Sequence, residues 1–419
     1  MKFKTVRGTS IFLFLMMFLS VPVLSYALDE KALEEKMQAL QMRLEMLEQT
    51  QGTADTSGKE ESRVYFGAFG SMEYKAFEAE TNTFDGHRIE LFFGANLTDK
   101  LKVHGLIEYE GAMHTEYLAD TGVDSYSGEV KTEEAYIQFD AERWFKLRLG
   151  SFYVPFGCFN QNSHDPYQPF TELPLVMRRV WPAEYSDTGI NTMGAIDLHN
   201  KLAMDYSFAV VNGLASRDSA NTISATTSGL RAARPALRKD NNHNKALVGR
   251  LGWTLDDKYV LGVSGYSGTY DNDSKYHAKA CGVDAKIPIP AINGLSLEGE
   301  YVYIDLEDGL NASSQTVPSK LLGFYARANY EFWPQALSDT ILGRWSKTPK
   351  FSLHYEYGEA EIDQRHSTVT DLKEYRHTIG FNYRPHPNLI FKNEYQFNEG
   401  DIEHGNHDGY VFSIAFIFP

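Results

Sequence analysis

The sequence is poor in cysteine, in long apolar runs and in positive charge, and each shortage excludes a class of protein. Its 419 residues include two cysteines, Cys158 and Cys281. They cannot form a disulfide framework; one bridge between them is an alternative, although lone thiols are favoured. After the N-terminus, no apolar run approaches the roughly 20 residues of a membrane-spanning helix. The formal net charge is −16 and no basic face dominates, so we expect no nucleic-acid partner.

Motifs for common catalytic chemistry are also missing. The chain has no Gly-rich phosphate loop, no Gly-x-Ser-x-Gly elbow and no His-Glu-x-x-His pair. His164 and His243 lie in predicted loops, where a surface histidine is the favoured interpretation. The last loop could bind a divalent metal weakly, although we do not favour this, through His404 and His407 with Asp401, Glu403 and Asp408. We predict no enzyme, no cofactor and no metal site.

The N-terminal segment predicts export from the cytoplasm. Three cations, Lys2, Lys4 and Arg7, precede an apolar run at residues 11–19, and small residues stand at positions 25 and 27. This order predicts a secretory signal peptide over residues 1–27. A retained membrane anchor is the alternative, but the run is short for a membrane span.

The next segment has the spacing of a coiled coil. Apolar residues recur at alternating intervals of four and three at Leu33, Met37, Leu40, Leu44 and Leu47. We predict a periplasmic coiled-coil helix over residues 28–50; an amphipathic helix on the rim of the following domain is the alternative. A polar linker rich in Thr, Gly and Ser follows at residues 51–62.

The end of the chain carries an aromatic stripe. Tyr410, Phe412, Ile414, Phe416 and Phe418 occupy every second position and therefore share one face of a strand. A strand whose outer face meets lipid needs such a stripe, whereas an edge strand of a soluble sheet is the alternative. A terminal strand ending in Phe also resembles the assembly signal of bacterial barrel proteins, from which Pro419 is a departure.

The whole region from residue 63 to residue 419 shows the same alternation. Aromatic residues make up 13% of the chain, enough to cover a lipid face without long apolar runs. We predict an all-β fold: a 16-stranded antiparallel transmembrane β-barrel in the bacterial outer membrane, preceded by the coiled-coil helix. The predicted strands are 63–80, 84–97, 101–117, 129–140, 145–154, 188–198, 202–212, 245–254, 258–270, 275–288, 294–306, 320–333, 349–360, 373–384, 388–399 and 407–418.

The connections between these strands alternate between short and long, as periplasmic turns and surface loops do. Tryptophans lie beside the short connections, at positions 144, 253, 333 and 345. The connection from 333 to 350 is longer than a periplasmic turn should be. Two segments are much longer: 155–187, rich in Pro and aromatics, predicts a folded loop, and 213–244 predicts a flexible surface loop.

Residues 148–157, with the sequence Arg-Leu-Gly-Ser-Phe-Tyr-Val-Pro-Phe-Gly, resemble a strand end of the phosphate-selective porin O/P family. There a Gly-x-Phe strand runs into a Pro-Phe pair and a long loop. The resemblance implies three sixteen-stranded barrels in a trimer, with this loop folded inward to narrow a water-filled channel. It implies passive diffusion of small hydrophilic solutes, or of anions such as phosphate.

The resemblance also implies that lumen-facing cations contact the anions. Matching positions give Lys146, Arg148, Arg178 and Arg179, and strand alternation adds Arg88, Arg250, Arg327 and Arg376. Several glutamates fall on the same inner face, so ordinary ion pairing is the alternative for each of these cations.

Two further expectations remain open. A structural outer-membrane protein, whose coiled coil tethers the membrane toward the cell wall, is the alternative to a porin. On the last strand, Val411, Ala415 and Ile417 make the inner face unusually apolar. We therefore expect another segment, such as the N-terminal one, to cover that face.

Overall fold

Sixteen strands account for most of the described chain. The computed structural model describes residues 64–111, 129–215, 230–234, 237, 240, 242–307, 318–363, 372–401 and 407–418. The signal peptide, helix and linker predicted over residues 1–62 lie outside these residues. Residues 67–418 form one compact unit. Residues 1–66 and 419 form another, of which only residues 64–66 are described, all in strand conformation.

The strands follow one another around a closed barrel, each antiparallel to the next along the chain. In order from β1 to β16 they are Val64–Phe77, Thr83–Asn96, Leu101–Glu110, Glu129–Glu142, Phe145–Tyr153, Ser186–His199, Leu202–Val211, Ala246–Leu255, Tyr259–Thr269, His277–Pro288, Leu295–Leu306, Lys320–Phe332, Lys350–Asp363, Leu372–His386, Leu389–Gly400 and Gly409–Phe418.

The predicted barrel is confirmed. Predicted and observed strand ends agree to within three residues everywhere except at the end of β3, which stops at Glu110 instead of residue 117. The last strand closes the barrel, because β16 pairs with β15 on one side and with β1 on the other, from Ala68 opposite Phe418 to Phe77 opposite Gly409. The alternative of a soluble edge strand is therefore wrong.

The two faces of the wall differ as the alternation predicts. Leu353, Ile379 and Phe381 point outward and are exposed, as a lipid-facing wall requires. Arg327 and Arg376 point inward and are buried. Among the described residues, no helix has the length and apolar character needed to cross a membrane. The α-helix α1, Leu175–Arg179, is a short one that lies between β5 and β6.

Two segments between strands fold into the barrel. Residues 154–185, here called the inner loop, connect β5 to β6, and the predicted folded loop is found there. Residues 230–234, here called the inner turn, belong to the connection predicted as a flexible surface loop. For these residues the prediction is wrong, because Leu230 and Ala233 are buried in the same apolar cluster as the inner loop.

The inner loop also accounts for the apolar inner face of β16. Val411 and Ala415 are fully buried. The short 3-10 helix Asp165–Tyr167 of the inner loop contacts β16, and the hydroxyls of Thr171 and Ser413 lie 2.6 Å apart. The inner loop therefore covers this face, a role that we expected of the N-terminal segment.

Candidate functional site in the barrel lumen

The inner loop leaves the wall where the sequence prevents β5 from continuing. Pro155 has no backbone N–H for a strand ladder, and two residues later Gly157 takes a left-handed conformation with φ +66°. A Cβ at Gly157 would lie 1.7 Å from the Glu300 carboxylate. Only glycine therefore lets the chain pass so close to the inner wall.

On one side the inner loop packs against an apolar part of the wall, here called the apolar sector. It comprises the buried inward side chains of β7–β13, namely Ala209, Val211, Ala246, Val248, Tyr266, Ala278, Ala280, Val302, Ile304, Leu306, Leu321, Tyr325, Ala360 and Ile362. From the loop, Phe156 and Trp181 stack with ring centroids 3.7 Å apart and are fully buried. The lumen is thus partly filled by a hydrophobic core.

On the other side the inner loop meets charged and polar side chains of β14–β16 and β1–β4, here called the charged sector. Arg88 is its centre. The Arg88 guanidinium donates to Asp165 at 2.7 and 3.0 Å and to Glu184 at 2.7 Å. Asp165 and Glu184 stand on the outgoing and the returning arm of the loop. One buried side chain therefore joins both arms to β2.

Two barrel glutamates accept hydrogen bonds from the backbone of the loop. One oxygen of Glu300 accepts the N–H groups of Cys158 and Phe159, both at 3.1 Å. The two oxygens of Glu394 accept those of Thr171 at 2.6 Å and Glu172 at 3.3 Å. Each carboxylate therefore satisfies two successive N–H groups that would otherwise be buried without acceptors.

Three further predicted cations also hold the loop. Arg327 donates to Glu356 at 2.6 Å and to Glu298 at 2.8 Å, and it approaches Gln168 of the loop at 3.5 Å. Arg179, in α1, donates to Glu374 of β14 at 2.6 Å. Arg376 donates to Asn398 at 2.7 Å and to the Leu173 carbonyl at 3.2 Å.

The remaining four predicted cations lie apart from this cluster or at its surface. Arg148 lies 4.0 Å over the Tyr136 ring and donates to Gln138 at 2.8 Å. Arg250 donates to Asp284 at 2.7 Å. Lys146 lies 3.9 Å from Asp140, and the half-exposed Arg178 donates to Glu172 at 2.9 Å. The eight predicted residues thus share the lumen without forming one ring.

Sequence reasoning missed several charged residues of the site. Lys75 and Lys131 face inward by strand alternation, which is a usable signal. Arg231 comes from the inner turn, and no local signal places it there. In four ion pairs near the long connections the side chain of the cation is more exposed than that of the carboxylate. The exposed fractions are 42% for Arg178 and 12% for Glu172, and 29% for Arg231 and 9% for Glu184. They are 30% for Lys75 and 1% for Glu73, and 20% for Lys131 and 2% for Glu108.

The carboxylates of the inner loop are ionised at neutral pH. Burial alone would raise the pKa of Glu172, but Lys75 and Arg178 outweigh burial and lower that pKa to about 2. In the same way Arg88 outweighs the burial of Asp165 and of Glu184 and holds both pKa values well below their usual range. The contacts that Asp165, Glu172 and Glu184 make with cations are therefore ion pairs.

One group in the described chain has the composition of a metal site. Ligand atoms of Glu73, His87 and Asp165 lie within 4.8 Å of one another. Cations already occupy this place, since Lys75 lies 2.8 Å from Glu73 and Arg88 binds Asp165 through two nitrogens. We therefore assign no metal to it.

Comparisons with known proteins agree with this architecture. The model of the family "Phosphate-selective porin O and P" matches residues 73–418. An uncharacterized protein of Aquifex aeolicus (strain VF5) is 24% identical over 371 residues, which cover 85% of this chain and 80% of that protein.

Solved structures share the fold. The Salmonella typhi OmpF complex with daunomycin aligns with a TM-score of 0.55 and 15% identity, over 85% of this chain and 98% of the other. The anion-selective porin from Comamonas acidovorans aligns with a TM-score of 0.51 and 11% identity, over 85% and 100%.

Proposed function

Because the chain belongs to the phosphate-selective porin O and P family and is an outer-membrane porin, we propose that its lumen favours small anions over cations. The water-filled space beside the inner loop would pass small hydrophilic solutes by passive diffusion. The porin family disfavours the alternative of a structural tether.

The exposure of the lumen charges carries the proposal of anion preference. Cations and carboxylates both line the lumen, but in these four ion pairs near the long connections the carboxylate is less exposed than its cationic partner. An ion in the lumen approaches Arg178 and Lys75 more closely than the carboxylates behind them. Salt screens charges over roughly 10 Å, so the nearest charges dominate what the ion experiences.

We propose different roles for the eight predicted cations. Arg178 contacts passing anions, because its guanidinium is the most exposed of the ion-paired loop cations. Lys146, Arg148 and Arg250 line the lumen away from the loop cluster. The others position the inner loop through ion pairs and hydrogen bonds, namely Arg88, Arg179, Arg327 and Arg376.

The organisation of the full chain is also a proposal. We propose a signal peptide at residues 1–27, a periplasmic coiled-coil helix at 28–50, a linker at 51–62 and the barrel at 63–419. The residue patterns described above support the first three segments. The family resemblance supports a homotrimer embedded in outer-membrane lipid, and the heptad spacing of residues 28–50 would suit three associating helices.

A planar bilayer experiment tests the proposal. Purified protein should produce stepwise conductance, and a salt gradient should give a reversal potential of the sign for anion preference. Replacing Arg178 and Arg179 together by Ala should shift that potential toward cations. The single change Arg178→Gln should account for most of the shift, because Arg179 is buried against Glu374.

Arg143→Gln is the matched control, since Arg143 pairs with Asp197 beside a short turn at the opposite end of β5 from the inner loop. It should leave the reversal potential unchanged. A protein without stepwise conductance would not be a porin. If the protein conducts but Arg178→Gln leaves the reversal potential unchanged, the porin function stands and the proposed contact between Arg178 and anions is wrong.

A further inference from the structure

The connection between β12 and β13 is an ordered structure at the end of the barrel where the other connections are short. Residues 334–349, here called the β12–β13 turn, contain the 3-10 helix Gln335–Leu337. The Trp333 indole donates to Ser338 at 3.1 Å, and Gly343 N–H donates to the Thr340 carbonyl at 3.1 Å. The additional residues of this connection are therefore folded.

The β12–β13 turn lies on the outer side of the wall. Phe351 points outward with Leu353, two residues further along β13, and its ring centroid lies 5.2 Å from Trp333 and 5.0 Å from Tyr383. The Tyr383 hydroxyl donates to the Leu342 carbonyl. The turn thus continues the outward aromatic surface of β13 and β14 beyond the ends of the strands.

The free surface of the turn combines large apolar and cationic side chains. Ile341 is 78% exposed and Trp345 is 56% exposed. Arg344 and Lys347 are exposed as well, and neither forms an ion pair with any described residue. Exposed apolar side chains of this size are unfavourable in water but suit a membrane interface, where tryptophan is enriched.

We propose that the β12–β13 turn anchors the barrel in the inner leaflet of the outer membrane by binding anionic phospholipid. Ile341 and Trp345 insert at the level where acyl chains meet headgroups, and Arg344 and Lys347 contact the phosphate groups. Two features favour phospholipid as the occupant. The surface is continuous with the lipid-facing wall, and its unpaired cations complement anionic headgroups. The proposal requires only the membrane location and is independent of anion preference.

Tryptophan quenching tests the insertion. The full-length protein is reconstituted in vesicles of phosphatidylcholine and phosphatidylglycerol whose acyl chains carry bromine near the headgroup. The fluorescence difference between the wild type and Trp345→Phe isolates Trp345. We expect this difference to be strongly quenched by the brominated lipid. Unquenched Trp345 fluorescence in protein that still conducts would overturn the proposal.

Lipid retention tests the headgroup contact. Native mass spectrometry would count phosphatidylglycerol and phosphatidylcholine molecules retained by the detergent-extracted barrel. Arg344→Gln with Lys347→Gln should lower phosphatidylglycerol retention about 25-fold, since each cation near an anionic surface contributes a factor of about five. Phosphatidylcholine retention should not change. Lys201→Gln with Lys258→Gln is the matched control, because both lysines are exposed beside other short turns.

A second copy of this chain is the competing occupant. Ile341→Cys combined with Cys281→Ser places a reactive thiol in the turn and removes the exposed native one. Rapid cross-linking between barrels in vesicles would assign the turn to a contact between copies and overturn the lipid proposal. Absence of cross-linking together with quenching by brominated lipid would support it.

Discussion

The inner loop touches two unlike surfaces of one barrel, the apolar sector on β7–β13 and the charged sector on β14–β16 and β1–β4. Against the first, aromatic and aliphatic side chains such as Phe156 and Trp181 are fully buried. Against the second, the contacts are hydrogen bonds and ion pairs, and Arg88 is the centre of the ion pairs. Hydrophobic burial has no direction, whereas an ion pair requires two particular atoms to meet. The apolar sector therefore attaches the loop, and the charged sector fixes where its arms lie.

The comparison also explains why a porin can contain a buried core and still carry charge. An apolar contact excludes water and cannot conduct ions. The charged sector keeps its outermost cations in contact with water, since Lys75, Lys131 and Arg178 are partly exposed. Hydrophobic attachment and contact with ions are thus performed by different sets of side chains. Changes on the two sides should have different signatures.

Removing Arg88 should have the largest effect. Arg88→Ala leaves Asp165 and Glu184 buried without their shared cation, and Glu90 and Glu108 lie within 3.6 Å of the missing guanidinium. Breaking a buried ion pair in this way costs about 3–5 kcal/mol, and we expect the upper end of that range. The free energy of unfolding in urea would measure it. Arg88→Lys retains the charge without the two-armed geometry, and its cost should be intermediate.

In bilayers, Arg88→Ala should also increase conductance fluctuations, because both arms of the loop lose their common contact. If Arg88→Ala had the free energy of unfolding and the conductance fluctuations of the wild type, Arg88 would not position the loop.

Breaking the apolar sector should cost somewhat less. Trp181→Ala removes a fully buried ring that stacks on Phe156; large-to-small changes of this kind cost about 3–5 kcal/mol, and we expect the lower end of that range. Trp181→Phe is the control, because it retains the stacked ring and removes an indole N–H that has no hydrogen-bond partner in the described chain. The loss for Trp181→Ala should be the same at low and high salt. A strongly salt-dependent loss would contradict the division into two sectors.

The two glutamates that accept backbone N–H groups should respond differently to neutralisation. In Glu394→Gln, one carboxylate oxygen that accepts a hydrogen bond becomes an amide that donates, which should cost about 1–3 kcal/mol. In Glu300→Gln, the remaining oxygen can still accept both N–H groups, because one oxygen of Glu300 already accepts them. We expect little loss there. Urea unfolding of both variants would check this, and equal losses would contradict it.

Local patterns in the sequence predicted the barrel well but the loop contacts poorly. Period-two alternation is visible within each strand, so the sixteen strands and the closed barrel could be predicted from it, whereas the pairing of Phe77 with Gly409 could not. The alternation also placed Arg88 and Arg327 on the inner face. It could not show that Arg88 binds residues 77 and 96 positions away, since such pairings depend on the path of the loop.

One expectation is confirmed and one is wrong, for the same physical reason. The apolar inner face of β16 predicts a covering segment, and the inner loop covers Val411 and Ala415. The connection containing residues 230–234 has a composition of small polar residues that predicts a flexible loop, and this prediction is wrong. Leu230 and Ala233 were enough to bury the inner turn, because an apolar cluster was already present for them to join. Burial depends on the partner surface, which a local pattern does not contain.

The smallest expected effect is a pH-dependent contribution of His164 to the free energy of unfolding, which the apolar sector should not show. His164 of the inner loop lies 2.6 Å from Glu90 and stacks on Phe69. Burial lowers the pKa of His164, but the Glu90 carboxylate outweighs burial and raises it above its usual value. Such a group stabilises the fold fully below its unfolded pKa, about 6.5, and this contribution is lost as pH rises through the folded pKa.

The free energy of unfolding of the wild type should therefore exceed that of His164→Gln by on the order of 1 kcal/mol at pH 5.5, with the excess declining toward pH 9. Trp181→Phe should show no such decline, because the apolar sector contributes no proton to the equilibrium. An excess that stays constant with pH would mean that His164 acts through its ring contact with Phe69 and not through its charge. His164 would then stabilise the loop as an apolar ring does, although it contacts the charged sector through Glu90.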